Sequence, residues 1–287
     1  MMAGTTSPSW FRARSTLARI LTDPTLCFAL LVLAIVLGGG LLADWLAPND
    51  PIQTSLRARS KPPSMQYLLG TDEQGRDILS RILFGIRVTL LTGLLGLLGG
   101  LAIGVPTGLL AAYFRKLDMA LMRLVDVILS FPAILLGLAI AGAVGPGTTG
   151  IIIALAVATI GPSARITRSA ALTVVNLEFV VGARMVGLSN LQILLRYILP
   201  NCLPALIVYS TLRFGQLILL GASLSFLGLG IAPPTPELGV MVSQGRALLL
   251  TAPHIAMLPC TVILLIVLSF NIVGDALRDA LDPQLKV

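Results

Sequence analysis

The sequence has little charge for its length. Asp, Glu, Lys and Arg make up 11% of its 287 residues, whereas soluble domains usually hold about 25%. Hydrophobic residues reach 56%, and the mean hydropathy is +0.93. A globule of this size has no core large enough to bury so much apolar surface. The composition therefore excludes a soluble enzyme, a disordered protein and a disulfide-stapled secreted domain, and it indicates a polytopic membrane protein.

Side chains that carry catalysis or hold metals are also scarce. The single histidine, His254, excludes an HExxH zinc site and a multi-histidine cage, and no G-x-S-x-G motif is present. No lysine follows a glycine, so the Walker A loop of a P-loop ATPase is absent. Cys27, Cys202 and Cys260 lie in or beside apolar runs without a metal-binding spacing. We expect no catalytic residue, no metal site and no cofactor in this chain.

Long apolar runs predict six transmembrane helices, since a bilayer core needs roughly 20 apolar residues per helix. The run 127–164 is too long for one span, and the turn-forming cluster Gly145–Gly150 divides it. That cluster has the GxGxxG spacing, but it lies between two predicted membrane spans and not in the βαβ unit that a dinucleotide site needs. The predicted spans are about 24–43, 88–114, 127–144, 149–168, 202–230 and 253–274.

The distribution of lysine and arginine favours both termini in the cytoplasm. The tails 1–23 and 275–287 and the loop 165–200 then face inward, whereas 44–87 and 231–246 face outward. The apolar core of the first run is too long for a signal peptide, so we interpret it as a retained helix. The net charge of +7 comes from basic residues scattered between apolar runs, which fits contact with lipid better than contact with nucleic acid.

Small residues and one charge stand out inside the predicted spans. Gly96, Gly100, Gly104 and Gly108 form one smooth helix face, which would pack within the chain or against a partner subunit. Arg213 should face the bundle interior, because a mid-bilayer charge costs at least about 2.5–3.5 kcal/mol.

Two roles fit Arg213 and its neighbour on the same face, Gln216. They would serve in the transport pathway or its gating, or they would form a structural pair. Near the predicted inner interface, Asp126 is expected to pair with Arg123 at i,i+3.

The loop 165–200 is amphipathic and contains no proline before Pro200. An internal loop has no bilayer to cover its apolar side, so it should dock on its own bundle or on a cytoplasmic partner.

Five motifs in order resemble the binding-protein-dependent ABC import permeases. The stretch Glu178–Gly187, followed by Tyr197-Ile-Leu-Pro200, is similar to the EAA loop of that family. The whole pattern resembles the second permease subunit of the dipeptide/oligopeptide/nickel branch. The other four motifs are Leu69–Asp77 with Leu79-Ser-Arg81, Arg123–Asp126 with Phe131-Pro132, Leu224–Gly230 with Pro233–Pro236, and Phe270-Asn271 with Gly274–Pro283.

The resemblance implies an all-α, type I ABC importer permease with six transmembrane helices in a bacterial inner membrane. Such a subunit forms half of a translocation pathway beside a second homologous permease, two ATP-binding subunits and an extracytoplasmic substrate-binding protein. ATP and Mg would then be bound by the partner subunits. The family's Glu-Ala-Ala is replaced here by Val181-Gly182-Ala183, and Leu238 stands where an aromatic residue is usual. The implied ATPase contacts are Glu178, Gly182, Ala183, Arg184, Gly187 and Leu188.

The motifs leave the cargo open, because peptides, nickel and a metal–chelator complex all fit this branch. A rival from another class is a secondary transporter or channel that works without ATP. Such proteins usually show paired membrane charges and internal repeats, which we do not find in the sequence. An intramembrane enzyme is disfavoured by the single histidine.

Overall fold

A computed structural model describes residues 23–281, so nearly all of the predicted tail 1–23 and residues 282–287 of the predicted tail 275–287 lie outside the described residues. Residues 275–281 continue the last helix. Within the described range the chain is helical, with one isolated β-bridge between Thr71 and Asp77. The all-α prediction is confirmed. The helices are α1 (Pro24–Leu41), α2 (Ala43–Leu46), α3 (Ile78–Tyr113), α4 (Arg115–Leu129), α5 (Ala133–Val144), α6 (Thr148–Val174), α7 (Glu178–Met185), α8 (Asn190–Ile193), α9 (Leu199–Leu224), α10 (Leu238–Gly245) and α11 (His254–Leu281).

Five helical stretches in the described chain are long and apolar enough to cross a membrane. They are α1, α3, α6, α11 and the continuous stretch Asn190–Leu229, which includes α8 and α9. The pair α4 and α5 provides a sixth crossing if the two helices act together, although they meet at an angle of 88°.

The bend between α4 and α5 changes the predicted span 127–144. Ser130-Phe131-Pro132 separates the two helices, because proline lacks an N–H and disfavours helical geometry in the residue before it. The 12 residues of α5 reach about 18 Å, which is short of a bilayer core of about 30 Å. The predicted span therefore straddles a sharp bend.

Two further boundaries differ because hydropathy ignores tertiary partners. Helix α3 begins at Ile78 rather than near residue 88, with Asp77 as N-cap. The intervening Arg81 is 1% exposed and lies 3.4 Å from Asp72, so a charged residue is buried within the first turns of this helix. Helix α10 lies inside the predicted outer loop 231–246, and Leu238, Val240 and Met241 are buried in it.

The glycine face packs within the chain, between α3 and α6. A Cβ on Gly100 would lie 2.6 Å from the Ala156 carbonyl, and one on Gly104 would overlap the Ser163 side chain. Small residues therefore let the two backbones approach closely in lipid. Gly96 and Gly108 meet α6 in the same way.

Candidate functional site

Helices α6 and α9 are joined by residues 175–198, which we call the connecting segment. It contains α7, α8 and a π-helical turn, Leu194–Ile198. Val180 is fully buried and Ala183 is 7% exposed, and both pack in a cluster with Leu109 of α3 and Ile193. The inner side of the amphipathic segment thus docks on the chain's own bundle.

The opposite side of the connecting segment is apolar and exposed. Met185 is 82% exposed, Val186 81% and Leu191 65%. Phe179, Val181 and Leu195 continue this surface. An apolar patch on a segment outside the bundle indicates a protein or membrane contact.

Ala183 and Gly187, which the resemblance implies as ATPase contacts, also have structural roles within the chain. Ala183 packs against the bundle and so helps to fix the position of the connecting segment. Gly187 has a φ of +80°, and it ends α7 in a Schellman motif. The Leu188 N–H donates to the Ala183 carbonyl at 3.2 Å, and the Gly187 N–H donates to the Arg184 carbonyl at 3.0 Å.

Three other predicted contact residues lie in α7 and are not buried. Glu178 is exposed in its first turn, where the helix dipole favours a negative charge. The Arg184 guanidinium lies 4.9 Å from the centre of the Tyr113 ring, which ties α7 to the C-terminal end of α3. Gly182 has nothing within 4 Å of the position a Cβ would take.

A capping box at the start of α8 was missed by the sequence interpretation. The Gln192 N–H donates to Ser189 Oγ at 3.4 Å, and the Ser189 N–H donates to Gln192 Oε1 at 3.0 Å. The signal is visible in the sequence as Ser189-x-x-Gln192. Nearby, Tyr113 Oη donates to Asn190 Oδ1 at 2.9 Å, so α3 holds both α7 and α8.

Arg213 is half-buried in α9 and bonds to two elements. Its Nη1 donates to Gln216 Oε1 at 2.9 Å, and its Nη2 donates to the Ala158 carbonyl of α6 at 2.7 Å. Its Nε is buried without a hydrogen-bond partner, as is Tyr209 Oη one turn earlier. The structure therefore brings Arg213 and Gln216 together and adds a contact with α6 that the sequence did not predict.

The predicted Arg123–Asp126 ion pair is wrong. Asp126 Oδ1 accepts from Arg165 Nη2 of α6 at 2.6 Å, because α4 packs along α6 and presents Asp126 to it. One helical turn further along α6, Arg168 binds Asp118 through two hydrogen bonds of 2.6 Å each. The two pairs join α4 to α6, and local spacing within α4 gave no sign of either.

Buried charges also lie at the end of the bundle where α3 begins. Arg76 Nε donates to Asp72 Oδ2 at 2.6 Å, and both side chains are almost fully buried. Glu237 caps α10 by accepting from the Gly239 and Val240 N–H groups at 2.9 Å each, and Thr89 Oγ1 donates to it at 3.1 Å. No hydropathy signal marks Glu237, because its partners lie in α10 and α3.

The chain is similar in sequence to transport permeases and in fold to a chain of a solved ABC transporter. The chain is 41% identical over 264 residues to the di/tripeptide transport system permease protein DppC of Pseudomonas aeruginosa, covering 90% of this chain and 87% of the relative. It is 42% identical over 260 residues to the glutathione transport system permease protein GsiD of Escherichia coli, covering 90% and 86%. The fold resembles a chain of the inward-facing MetNI methionine ABC transporter, with a TM-score of 0.59 and 22% identity over 70% of this chain and 96% of that one.

A family model for the binding-protein-dependent transport system inner membrane component matches residues 104–287. That range includes α4 to α11 and the connecting segment with its exposed apolar side. The two relatives and the matched range agree with the resemblance found in the motifs. The chain therefore belongs to the family of inner-membrane components of binding-protein-dependent transport systems, as a permease of an ABC importer.

Proposed function

We propose that this chain forms half of the membrane pathway of an ATP-driven importer of dipeptides or oligopeptides. The observation that carries the proposal is the exposed apolar side of the connecting segment, with Met185, Val186 and Leu191 at its centre. That surface has no lipid to cover it if the segment lies in the cytoplasm, so a protein partner is needed. The names of DppC and GsiD support peptides as the cargo class.

The proposed partners are two ATP-binding subunits, a second homologous permease and an extracytoplasmic substrate-binding protein. The ATPase would bind the connecting segment, with Glu178 and Arg184 as charged contacts at opposite ends of α7. Ala183 and Val180 pack against the bundle. A movement of α7 driven by the ATPase would therefore be transmitted to α6 and α9. ATP and Mg would be held by the ATPase subunits, and this chain would carry no chemistry of its own.

The test places a charge on the proposed contact surface. Val186→Asp should reduce co-purification of the ATPase subunit and peptide-stimulated ATP hydrolysis by roughly tenfold, as expected for a hydrophobic contact worth about 1.4 kcal/mol. The matched control is Leu250→Asp, which alters a fully exposed leucine between the predicted outer loop 231–246 and the last predicted span 253–274. Both variants should reach the membrane at normal levels.

Unchanged ATPase binding in Val186→Asp would contradict the proposed contact surface. The cargo is tested separately by uptake of a labelled dipeptide, of Ni²⁺ and of a Ni²⁺–chelator complex into vesicles that contain the full complex. ATP-dependent uptake of the dipeptide is expected. Uptake of nickel alone, or uptake of the dipeptide without ATP, would contradict the proposal.

A further inference from the structure

Pro162 leaves one backbone carbonyl of α6 without its usual donor. In an α-helix, the N–H of each residue donates to the carbonyl four residues earlier. Proline has no N–H, so Pro162 cannot donate to Ala158, and α6 nevertheless continues through this position. A carbonyl without a donor is costly inside a membrane, where no water replaces the missing bond.

Arg213 supplies that missing donor from a different helix. Its Nη2 donates to the Ala158 carbonyl at 2.7 Å, which is a typical length for a charge-assisted hydrogen bond. Among the described prolines that lie inside helices, only Pro162 frees a carbonyl that accepts from a charged side chain. The carbonyl that Pro162 frees therefore gives the buried charge of Arg213 a partner, and Arg213 supplies the hydrogen bond that Pro162 removes.

The position of this bond relates it to the connecting segment. Ala158 lies 16 residues before the end of α6, and Arg213 lies 14 residues after the start of α9. At about 1.5 Å per residue, the bond is roughly 20–25 Å from the connecting segment along both helices. The connecting segment links α6 and α9 at one end, and the Arg213–Ala158 hydrogen bond joins the two helices near their middle.

We propose that Arg213 is a positioning residue that replaces the backbone donor lost at Pro162 and holds α6 and α9 as one lever. A movement of α7 and α8 is then transmitted along both helices together instead of separating them. Gln216 orients the guanidinium through its bond to Nη1. This inference relies on the proposed function only for its transport readout.

The experiment restores the backbone donor and then removes the arginine. In the reconstituted complex, Arg213→Leu alone should lower transport about tenfold and lower the melting temperature, since an unsatisfied buried carbonyl is costly. Pro162→Ala alone should stay within about twofold of the starting protein, because a carbonyl oxygen has two lone pairs. The double variant should recover most of the transport and the melting temperature lost in Arg213→Leu, since the N–H restored by Pro162→Ala can donate to the Ala158 carbonyl.

The matched control is Pro106→Ala, which restores an N–H in α3 and leaves Ala158 unsatisfied. It should rescue neither property of Arg213→Leu. A double Pro162→Ala, Arg213→Leu variant that is as defective as Arg213→Leu would overturn the inference, as would equal rescue by Pro106→Ala. If the unaltered complex shows no transport, the proposed function fails instead, and the melting temperatures of the same variants still decide the role of Arg213.

Discussion

At the residue scale, Gly187 determines how α7 ends. Its positive φ and the two hydrogen bonds of the Schellman motif turn the chain toward α8. No atom lies within 4 Å of the position of a Cβ at this site, so backbone conformation rather than space requires the glycine. Gly182 differs, because neither its surroundings nor a positive φ demands a glycine.

We predict that Gly187→Ala destabilises α7 by about 1 kcal/mol, because only glycine adopts the left-handed conformation without steric cost. Gly187→Asn should cost less, since asparagine tolerates this conformation better. Hydrogen exchange across residues 178–188 of the purified complex measures the effect. Gly182→Ala is the control, and it should slow exchange slightly, because alanine favours the helix by up to about 1 kcal/mol. Equal exchange in Gly187→Ala and the unaltered chain would contradict this explanation.

At the element scale, the pairing of α3 with α6 organises the bundle. The face formed by Gly96, Gly100, Gly104 and Gly108 meets a ridge on α6 that includes Thr159, Ser163 and Thr167. The three hydroxyl groups donate to carbonyls four residues earlier in α6. The ridge is therefore polar in composition but already satisfied, so it can pack against glycine without an unpaired group.

We predict that Gly104→Ala lowers the stability of the chain by about 1–3 kcal/mol, the usual cost of overpacking. Its Cβ would overlap Ser163 and lie 2.7 Å from the Ile160 carbonyl, so the helices must separate. The melting temperature of the detergent-purified complex measures the loss. The control is Gly38→Ala in α1, where no atom lies within 4 Å of the added Cβ. Gly38→Ala should not lower the melting temperature, because alanine favours the helix where space is free. A similar decrease in both variants would contradict close packing as the cause.

At the scale of the whole molecule, α3 links the buried Asp72–Arg76 ion pair at one end to the connecting segment at the other. Arg76 and Asp72 lie at one end of α3, and Tyr113 and Asn190 lie at the other. The 36 residues of α3 span about 54 Å, which exceeds a bilayer core of about 30 Å. The two ends of α3 therefore belong to opposite sides of the membrane.

We predict that Met65→Cys reacts with a membrane-impermeant thiol reagent applied from outside, whereas Met185→Cys reacts only after the membrane is opened. Both side chains are strongly exposed, so accessibility within the chain does not limit the reaction. The background lacks Cys27, Cys202 and Cys260. Reaction of Met185→Cys from outside in intact cells would reverse the predicted orientation.

Hydropathy alone was sufficient for the all-helical class, and motif order was sufficient for the family. Both depend on local properties: each span needs a run of apolar residues, and each motif is contiguous in the chain. The amphipathic pattern of 165–200 likewise predicted that this loop docks on a surface, and Val180 and Ile193 confirm one side of that docking.

The tertiary structure decided everything that depends on a partner distant in sequence. Asp126 pairs with Arg165 and not with Arg123 because α6 lies beside α4, and Arg81 is buried because the segment before α3 brings Asp72 to it. Ala183 faces the bundle because residues 175–198 fold back on α3 and α9. The sequence alone predicted that Arg213 needs a partner within the membrane, but it did not show that this partner is the Ala158 carbonyl, which Pro162 leaves without a donor. Only the packing of α6 against α9 brought the two together, because a hydrogen bond requires both groups within about 3 Å.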